Sequence, residues 1–258
     1  MIKVRKMEKK ISEIKSEFAL TGSDGIEGFI NEYADDERPG VQALVLRAKK
    51  NLEKYNAELK RIYSISEYER KYREYRYICG IDEVGRGPLA GPVVAGAVIL
   101  PKDCCILYVN DSKKLSETKR EELYDEIMDK AVSVGLGFVD NNRIDEINIL
   151  QATYEAMRQA IGKLDPRPDI LLNDAVTIPE VSIKQVPIIK GDAKSISIGA
   201  ASIIAKVTRD RMMKEYAEEF PEYGFEDNKG YGSRKHIEAI QKYGPCALHR
   251  RSFIGNFT

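Results

Sequence analysis

The spacing of apolar positions changes near residue 76 and divides the chain in two. Before that point, Val41, Leu44, Val45, Ala48, Leu52, Tyr55 and Leu59 recur at steps of three and four behind Pro39 and Gly40. That period predicts an amphipathic helix. Beyond it the apolar runs shorten and become rich in β-branched residues. Residues 77–84 and 92–100 read as strands, with further strands at 132–139, 169–174 and 182–189. Helices are predicted from the capping Ser116 to about 130, with Leu123, Ile127 and Ala131 inward. Others run from 143 to 163, from about 193 to 219 where Pro221 stops the chain, and from about 234 to 243. Strands first, then alternating helices and strands, predict an α/β fold with one mixed sheet flanked by helices. The expected organisation is a helix-rich N-terminal region, 1–76, and an α/β region, 77–258, closed by a C-terminal helical segment.

Composition narrows this picture only a little. The chain has 258 residues, 43% hydrophobic and 32% charged, which suits a globular protein with a real core. Lys+Arg and Asp+Glu both number 41, so net charge says nothing about a polyanionic partner. Local charge says more. Between 229 and 251 stand Lys229, Arg234, Lys235, Lys242, Arg250 and Arg251 against the single acid Glu238. Such a tail suits phosphates or a solvated surface. The helix behind Pro39 also carries Arg47, Lys49, Lys50, Lys54 and Lys60. Bundle packing accounts for its apolar stripe, and an arm that touches a polyanion accounts for its basic one. Cys79, Cys104, Cys105 and Cys246 show no CxxC spacing, which fits reduced thiols in the cytoplasm. Lys3, Arg5, Lys6, Lys9 and Lys10 open the chain without a following apolar stretch, so no leader is expected. No run approaches the ~18 apolar residues of a membrane span.

The chemistry is concentrated at the strand ends. Asp82 and Glu83 end the run Cys79-Gly80-Ile81, and a turn with Gly85, Arg86 and Gly87 follows at once. Asp174 closes Ile170-Leu171-Leu172, and Asp192 stands at the entrance to the long helix. Three of these acids have a plain structural role open to them. Asp192 can cap the helix, Asp174 can serve a turn, and Glu83 can face solvent, since strand neighbours point to opposite faces. Taken together, four carboxylates at the ends of consecutive elements can converge on divalent cations, which prefer oxygen ligands. Two Mg²⁺ or Mn²⁺ ions would then serve phosphodiester hydrolysis without a histidine base. With only His236 and His249 present, histidine-based chemistry and a Cys/His zinc site are disfavoured. Gly85-x-Gly87-x-x-x-Gly91 misses the dinucleotide spacing, and no Walker-type loop occurs.

Six motifs then carry a resemblance. GIDEVGRGPLAGP starts at Gly80, DSKKL at Asp111, KGDAKS at Lys190, AASIIAKVTRDR at Ala200, NKGYG at Asn228 and HRRSF at His249. In this order and spacing they resemble bacterial ribonuclease HII over nearly all of 77–254. Residues 1–76 are similar, more weakly, to the helical extension of the longer bacterial forms. Gly199 stands where that family often has alanine, a helix-interior change worth about 1 kcal/mol that is expected to leave the chemistry untouched.

The resemblance implies an RNase H-like fold and an endonuclease that cuts RNA in RNA–DNA hybrids. Incision would fall 5′ of ribonucleotides embedded in duplex DNA, leaving 3′-hydroxyl and 5′-phosphate ends. It implies that Asp82, Glu83, Asp174 and Asp192 hold Mn²⁺ or Mg²⁺. Gly85, Arg86 and Gly87 would sense the ribose 2′-OH, the group that separates RNA from DNA. Tyr231 would stack on the next sugar. Core packing for Tyr231 and a structural ion pair for Arg86 are the plainer alternatives. Lys113, Lys114, Lys194, Ser195, Arg250 and Arg251 are candidate phosphate contacts, which position a duplex without reading bases. His249 beside them is a further candidate. A cytoplasmic monomer acting on hybrids and ribonucleotide-containing DNA is the resulting expectation. The rivals are a non-catalytic hybrid binder, which four facing acids disfavour, and an RNase H-fold DNA nuclease, which would not need to sense a 2′-OH.

Overall fold

The computed structural model describes residues 9–257. The chain forms two compact units, Met1–Arg61 and Ile62–Thr258. In the smaller unit, α1 (Ile11–Leu20), α2 (Ile26–Glu32) and the first part of α3 (Pro39–Ile65) enclose Ile14, Ile26, Phe29, Tyr33, Val41, Val45 and Ala48. The apolar stripe expected behind Pro39 is therefore a packing face. Its basic neighbours Arg47, Lys49, Lys50, Lys54 and Lys60 are exposed.

The end of α3 and the short α4 (Glu67–Lys71) belong to the larger unit. Ile62 and Ile65 are buried in one cluster with Ile106, Leu123, Ile203 and Ile204. The change of apolar spacing near 76 thus lies some way past the division between the units, because the last turns of α3 continue into the second core.

That core is built on five strands, β1 (Ile78–Val84), β2 (Val93–Ile99), β3 (Ser133–Val139), β4 (Ile170–Asp174) and β5 (Lys184–Ile188). Their order is β3-β2-β1-β4-β5, with β1, β2 and β3 antiparallel and β4 and β5 parallel to β1. The expected mixed sheet forms. Helix α5 (Glu117–Lys130) starts on Ser116 as predicted, with the Ser116 hydroxyl accepting from the Lys119 N–H. Helices α6 (Asn141–Gly162) and α7 (Ile196–Glu219) cover opposite faces. Cys79, Ile81, Ala95 and Ala97 pack with Ala156, Met157 and Ala160 of α6, while Val98 packs with Ala200, Ala201 and Ile204 of α7. Coverage on both sides explains why β1 and β2 read as continuous apolar runs. Helix α7 rests directly on β1. A Cβ on Gly80 would lie 2.1 Å from the Ser197 carbonyl carbon, so only glycine permits this approach.

Two helices differ from the apolar pattern. Asn148 breaks α6 with φ 67° and ψ 162°, and its side chain caps the second half through Leu150 N and Gln151 N. Helix α7 begins at Ile196, later than expected, because a separate 3-10 turn, Gly191–Ala193, precedes it. The remaining helices, α8 (Phe225–Asn228), α9 (Arg234–Tyr243) and α10 (Arg251–Ile254), supply the C-terminal segment. Among the described residues, no helix is long and apolar enough to cross a membrane.

Candidate active site

Parallel pairing of β1 with β4 places Asp82 and Asp174 at the same end of adjacent strands: Ile81 pairs with Asn173, one residue before each acid. Alternation along β1 turns Asp82 toward α7, where Ser202 hydrogen-bonds its carboxylate. Glu83 follows on the opposite side of the strand end, and its backbone N–H donates to Asp82 Oδ1 at 2.8 Å. Asp174 Oδ1 accepts from the Gly191 N–H at 2.7 Å, which pulls the 3-10 turn holding Asp192 against β4.

The helix-capping role open to Asp192 falls to Ser195, whose Oγ accepts from the Ile198 N–H at 3.2 Å. The Asp192 carboxylate is thereby not needed as the cap of α7; it keeps a backbone hydrogen bond from Ala193. Burial, then Asp111 and Asp174, pushes its pKa up. Burial, then Glu83, holds Asp82 well above the usual carboxylate range, with Asp174 adding to the shift. Burial also raises Glu83 despite the opposing Arg86, whose Nη1 donates to Glu83 Oε1 at 3.2 Å. Glu83 Oε2 is buried without a hydrogen-bond partner.

Like charges that raise one another's pKa, and a buried carboxylate oxygen lacking a donor, are what a divalent cation would relieve. The donor set therefore fits Mg²⁺ or Mn²⁺. Among the described residues no three His, Cys, Asp or Glu side chains already stand in a closed ligand cluster.

The chain as a whole has clear relatives. Residues 79–256 match the model of the ribonuclease HII family, and residues 10–73 match that of the ribonuclease HII N-terminal domain. The chain belongs to the ribonuclease HII family. Ribonuclease HII of Lachnoclostridium phytofermentans is 65% identical over 252 residues, spanning 98% of this chain and 99% of its own. That of Clostridioides difficile is 50% identical over 251 residues, spanning 96% and 98%. Among solved structures, the ribonuclease H2 of Pyrococcus horikoshii superposes with a TM-score of 0.57 at 29% identity, covering 68% of this chain and 93% of that one. The RNase H fold is therefore shared, and the family depends on divalent metal.

Beside the acids, the ribonuclease HII turn Gly85-Arg86-Gly87 forms one body with two distant segments. Leu89 N donates to Gly230 O at 2.8 Å, Gly91 N to Leu248 O at 2.9 Å and Arg250 N to Leu89 O at 2.8 Å. Gly85 has φ +90°, and a Cβ there would lie 2.4 Å from Arg209 Nε, so the bend after Glu83 requires glycine. Tyr231 is 41% exposed, which speaks against core packing. Its backbone is pinned instead: Tyr231 N donates to Asn228 O, and Tyr231 O accepts from Ser233 N.

Two expected phosphate contacts are corrected. Arg250 is fully buried, and its guanidinium donates to Gly85 O at 2.6 Å, Arg86 O at 2.9 Å and Gly91 O at 2.8 Å. It clasps the glycine turn and offers nothing to solvent. Ser195 is also fully buried, with its hydroxyl committed to the α7 cap and to Glu69. Lys113, Lys114, Lys194 and Arg251 are exposed, and Lys113 is near enough to oppose the upward shift of Asp192. His249 likewise turns inward. It is buried, and its Nε2 lies 3.0 Å from His236 Nε2.

Several neighbours of the site lie in the resemblance motifs but have residue types that do not reveal their role. Asp111, in the DSKKL motif, faces Asp192 closely enough to raise its pKa. Ser112 of the same motif meets Ser202 at 3.0 Å, which joins the motif to Asp82 through two hydroxyls. Arg209, fully buried, donates to Pro92 O at 2.9 Å, Ala90 O at 3.1 Å and Lys229 O at 2.9 Å. Burial lowers Arg209 to about 10 and Arg250 to about 9. The motif AASIIAKVTRDR contains Arg209, yet charge alone reads as surface. Gly199 is also less neutral than its helical position implies, since a Cβ there would come 2.8 Å from Val109 Cγ1 and 3.1 Å from Asp192 O.

Proposed function

We propose that this ribonuclease H-type endonuclease hydrolyses the phosphodiester on the 5′ side of ribonucleotides in RNA–DNA hybrids and in duplex DNA. The products carry 3′-hydroxyl and 5′-phosphate ends. The observation that carries the reading is the joining of the acid end of β1 to a glycine turn that Arg250 clasps from behind. Asp82, Glu83, Asp174 and Asp192 would hold Mg²⁺ or Mn²⁺, and such ions activate water and stabilise a leaving oxygen.

The chain's own residues then divide the work. Asp82 and Asp174 fix the site on the rigid sheet, while Asp192 reaches it from a turn hydrogen-bonded to Asp174. Arg86 balances Glu83 and leaves the adjoining backbone of Gly87 open toward a sugar hydroxyl. Gly85 O, Arg86 O and Gly91 O are occupied by Arg250, so the turn keeps its shape when the duplex arrives. Lys113, Lys114, Lys194 and Arg251 would contact phosphates and confer no base preference.

The test is cleavage of a duplex with one embedded ribonucleotide. Asp82→Asn and Asp174→Asn should nearly abolish cleavage while keeping duplex binding, because neutral amides hold divalent cations poorly. EDTA should stop the wild type. Cleavage by Asp82→Asn near the wild-type rate would refute the site.

A further inference from the structure

We propose that Glu69 is a positioning residue for the acid pair Asp174 and Asp192, acting through a ladder of hydrogen bonds; this rests on the metal site proposed above. Glu69 lies on α4, more than a hundred residues before Asp174 and Asp192. Its Oε1 accepts from Ser195 Oγ at 2.5 Å and from the Ser197 N–H at 3.1 Å. The Ser195 N–H donates to Gly191 O at 2.8 Å, and the Gly191 N–H donates to Asp174 Oδ1 at 2.7 Å. Asp192 is the residue between the two ends of that ladder. Lys194 N also donates to Gly191 O, at 2.9 Å, which tightens the same turn.

A second observation sets Glu69 apart from an ordinary helix cap. Its Oε2 is buried and makes no hydrogen bond of good geometry, though the Ser197 hydroxyl and its own N–H lie near the carboxyl. A buried unsatisfied carboxylate oxygen is costly, and an apolar side chain would fill the space more cheaply. What an apolar residue could not do is accept from Ser195 Oγ and Ser197 N together. Those two bonds set the Ser195 rotamer and the start of α7, and through them the placement of Asp192 relative to Asp174. Groups that hydrogen-bond the ligands of a metal orient those ligands; the Gly191 N–H does this for Asp174, and Glu69 acts on that turn from behind, through Ser195. Burial pushes the Glu69 carboxyl up, so an amide that keeps the acceptor is a close mimic.

The experiment compares full-length wild type with Glu69→Ala, Ser195→Ala, the double variant and Glu69→Gln. Cleavage of a single-ribonucleotide duplex gives kcat and KM, calorimetry with Mn²⁺ alone gives cation affinity, and thermal unfolding gives stability. Each alanine variant should lose up to about 10-fold in kcat or in cation affinity, the low end of the range for groups bonded directly to a metal ligand, because Glu69 and Ser195 act a step further out. Duplex KM should be unchanged, because Glu69 does not meet the duplex. The double variant should lose clearly less than the product of the two single losses, because both singles remove the same Ser195–Glu69 bond, and Glu69→Gln should recover most of the loss. Wild-type kcat and cation affinity in Glu69→Ala would overturn the proposal. So would additive losses in the double variant, or a Glu69→Gln as poor as Glu69→Ala. If Glu69→Ala does not fold, Ser195→Ala with unimpaired kcat and Mn²⁺ affinity overturns the proposal by itself. Asp174→Asn run in parallel separates the two levels: if it cleaves normally, the metal site itself has failed.

Discussion

Tyr231 Cε1 lies 3.8 Å from the point where a Cβ on Gly87 would stand, so the exposed ring and the glycine turn share one surface. In the proposed reading the turn would approach one sugar and the ring would meet the next. Tyr231→Ala should lose contact worth on the order of 1–3 kcal/mol, as for aromatic rings on nucleotides. The loss should be largest on a duplex with one ribonucleotide, where the junction supplies most of the recognition. It should be smaller on a long hybrid, where many registers compete. Comparing cleavage of both substrates checks this; equal losses would mean that Tyr231 serves general binding or the fold.

Arg250 separates a buried clasp from a phosphate contact. Arg250→Met strands the carbonyls of Gly85, Arg86 and Gly91, at about 1–3 kcal/mol for each unsatisfied acceptor. The denaturation midpoint should fall sharply while the salt dependence of duplex binding keeps its slope. Lys113→Ala should do the reverse, leaving stability alone and reducing the slope by about one. A shallower salt slope in folded Arg250→Met would return Arg250 to the phosphate contacts.

The histidine pair predicts a pH effect. Cys246 N donates to His249 Nδ1 at 3.0 Å, so the His249 proton sits on Nε2 and donates to His236 Nε2; His236 Nδ1–H then donates to Tyr231 O at 2.8 Å. Burial, then His236, lowers His249 to about 4, and burial lowers His236 as well. Both are neutral when folded. Below about 6.5 the unfolded chain takes up protons that the folded chain refuses. The stability contributed by the pair is therefore present above pH 6.5 and is lost as pH falls toward 4. His249→Asn should flatten the dependence of Tm on pH across that window, measured in EDTA. An unchanged curve would show that the pair does not titrate with folding.

Truncation tests where the catalytic unit begins. A chain starting at Ile62 should fold and keep metal-dependent cleavage. One starting near Arg76 lacks Ile62 and Ile65, buried side chains whose loss costs about 2–5 kcal/mol each. It also lacks Glu69. The shorter chain should be less stable and slower, whereas loss of 1–61 alone should mainly reduce the salt dependence of binding, as exposed lysines of α3 no longer displace counterions. Circular dichroism melts and salt titrations of both chains decide this.

Much of the molecule is legible from residue order alone. Apolar runs with β-branched residues reveal the strands, and an acid ending such a run marks a strand end, which is why Asp82 and Asp174 can both be placed at strand ends from the sequence, while their adjacency comes from the parallel pairing of β1 with β4. Local capping chemistry predicts the start of α5 at Ser116. The same local logic fails at α7, where Asp192 and Ser195 are both able caps and only the Gly191–Asp174 hydrogen bond settles that Ser195 serves the helix. Charge type tells what Arg250, Arg209 and Glu69 can bond but not whether water reaches them. That depends on carbonyls and hydroxyls contributed from far along the chain: Gly85 lies 165 residues from Arg250, and Ser195 lies 126 from Glu69. Residue order determines which chemistry is available, while burial and the partners that accompany it arise only when distant segments pack together and exclude solvent.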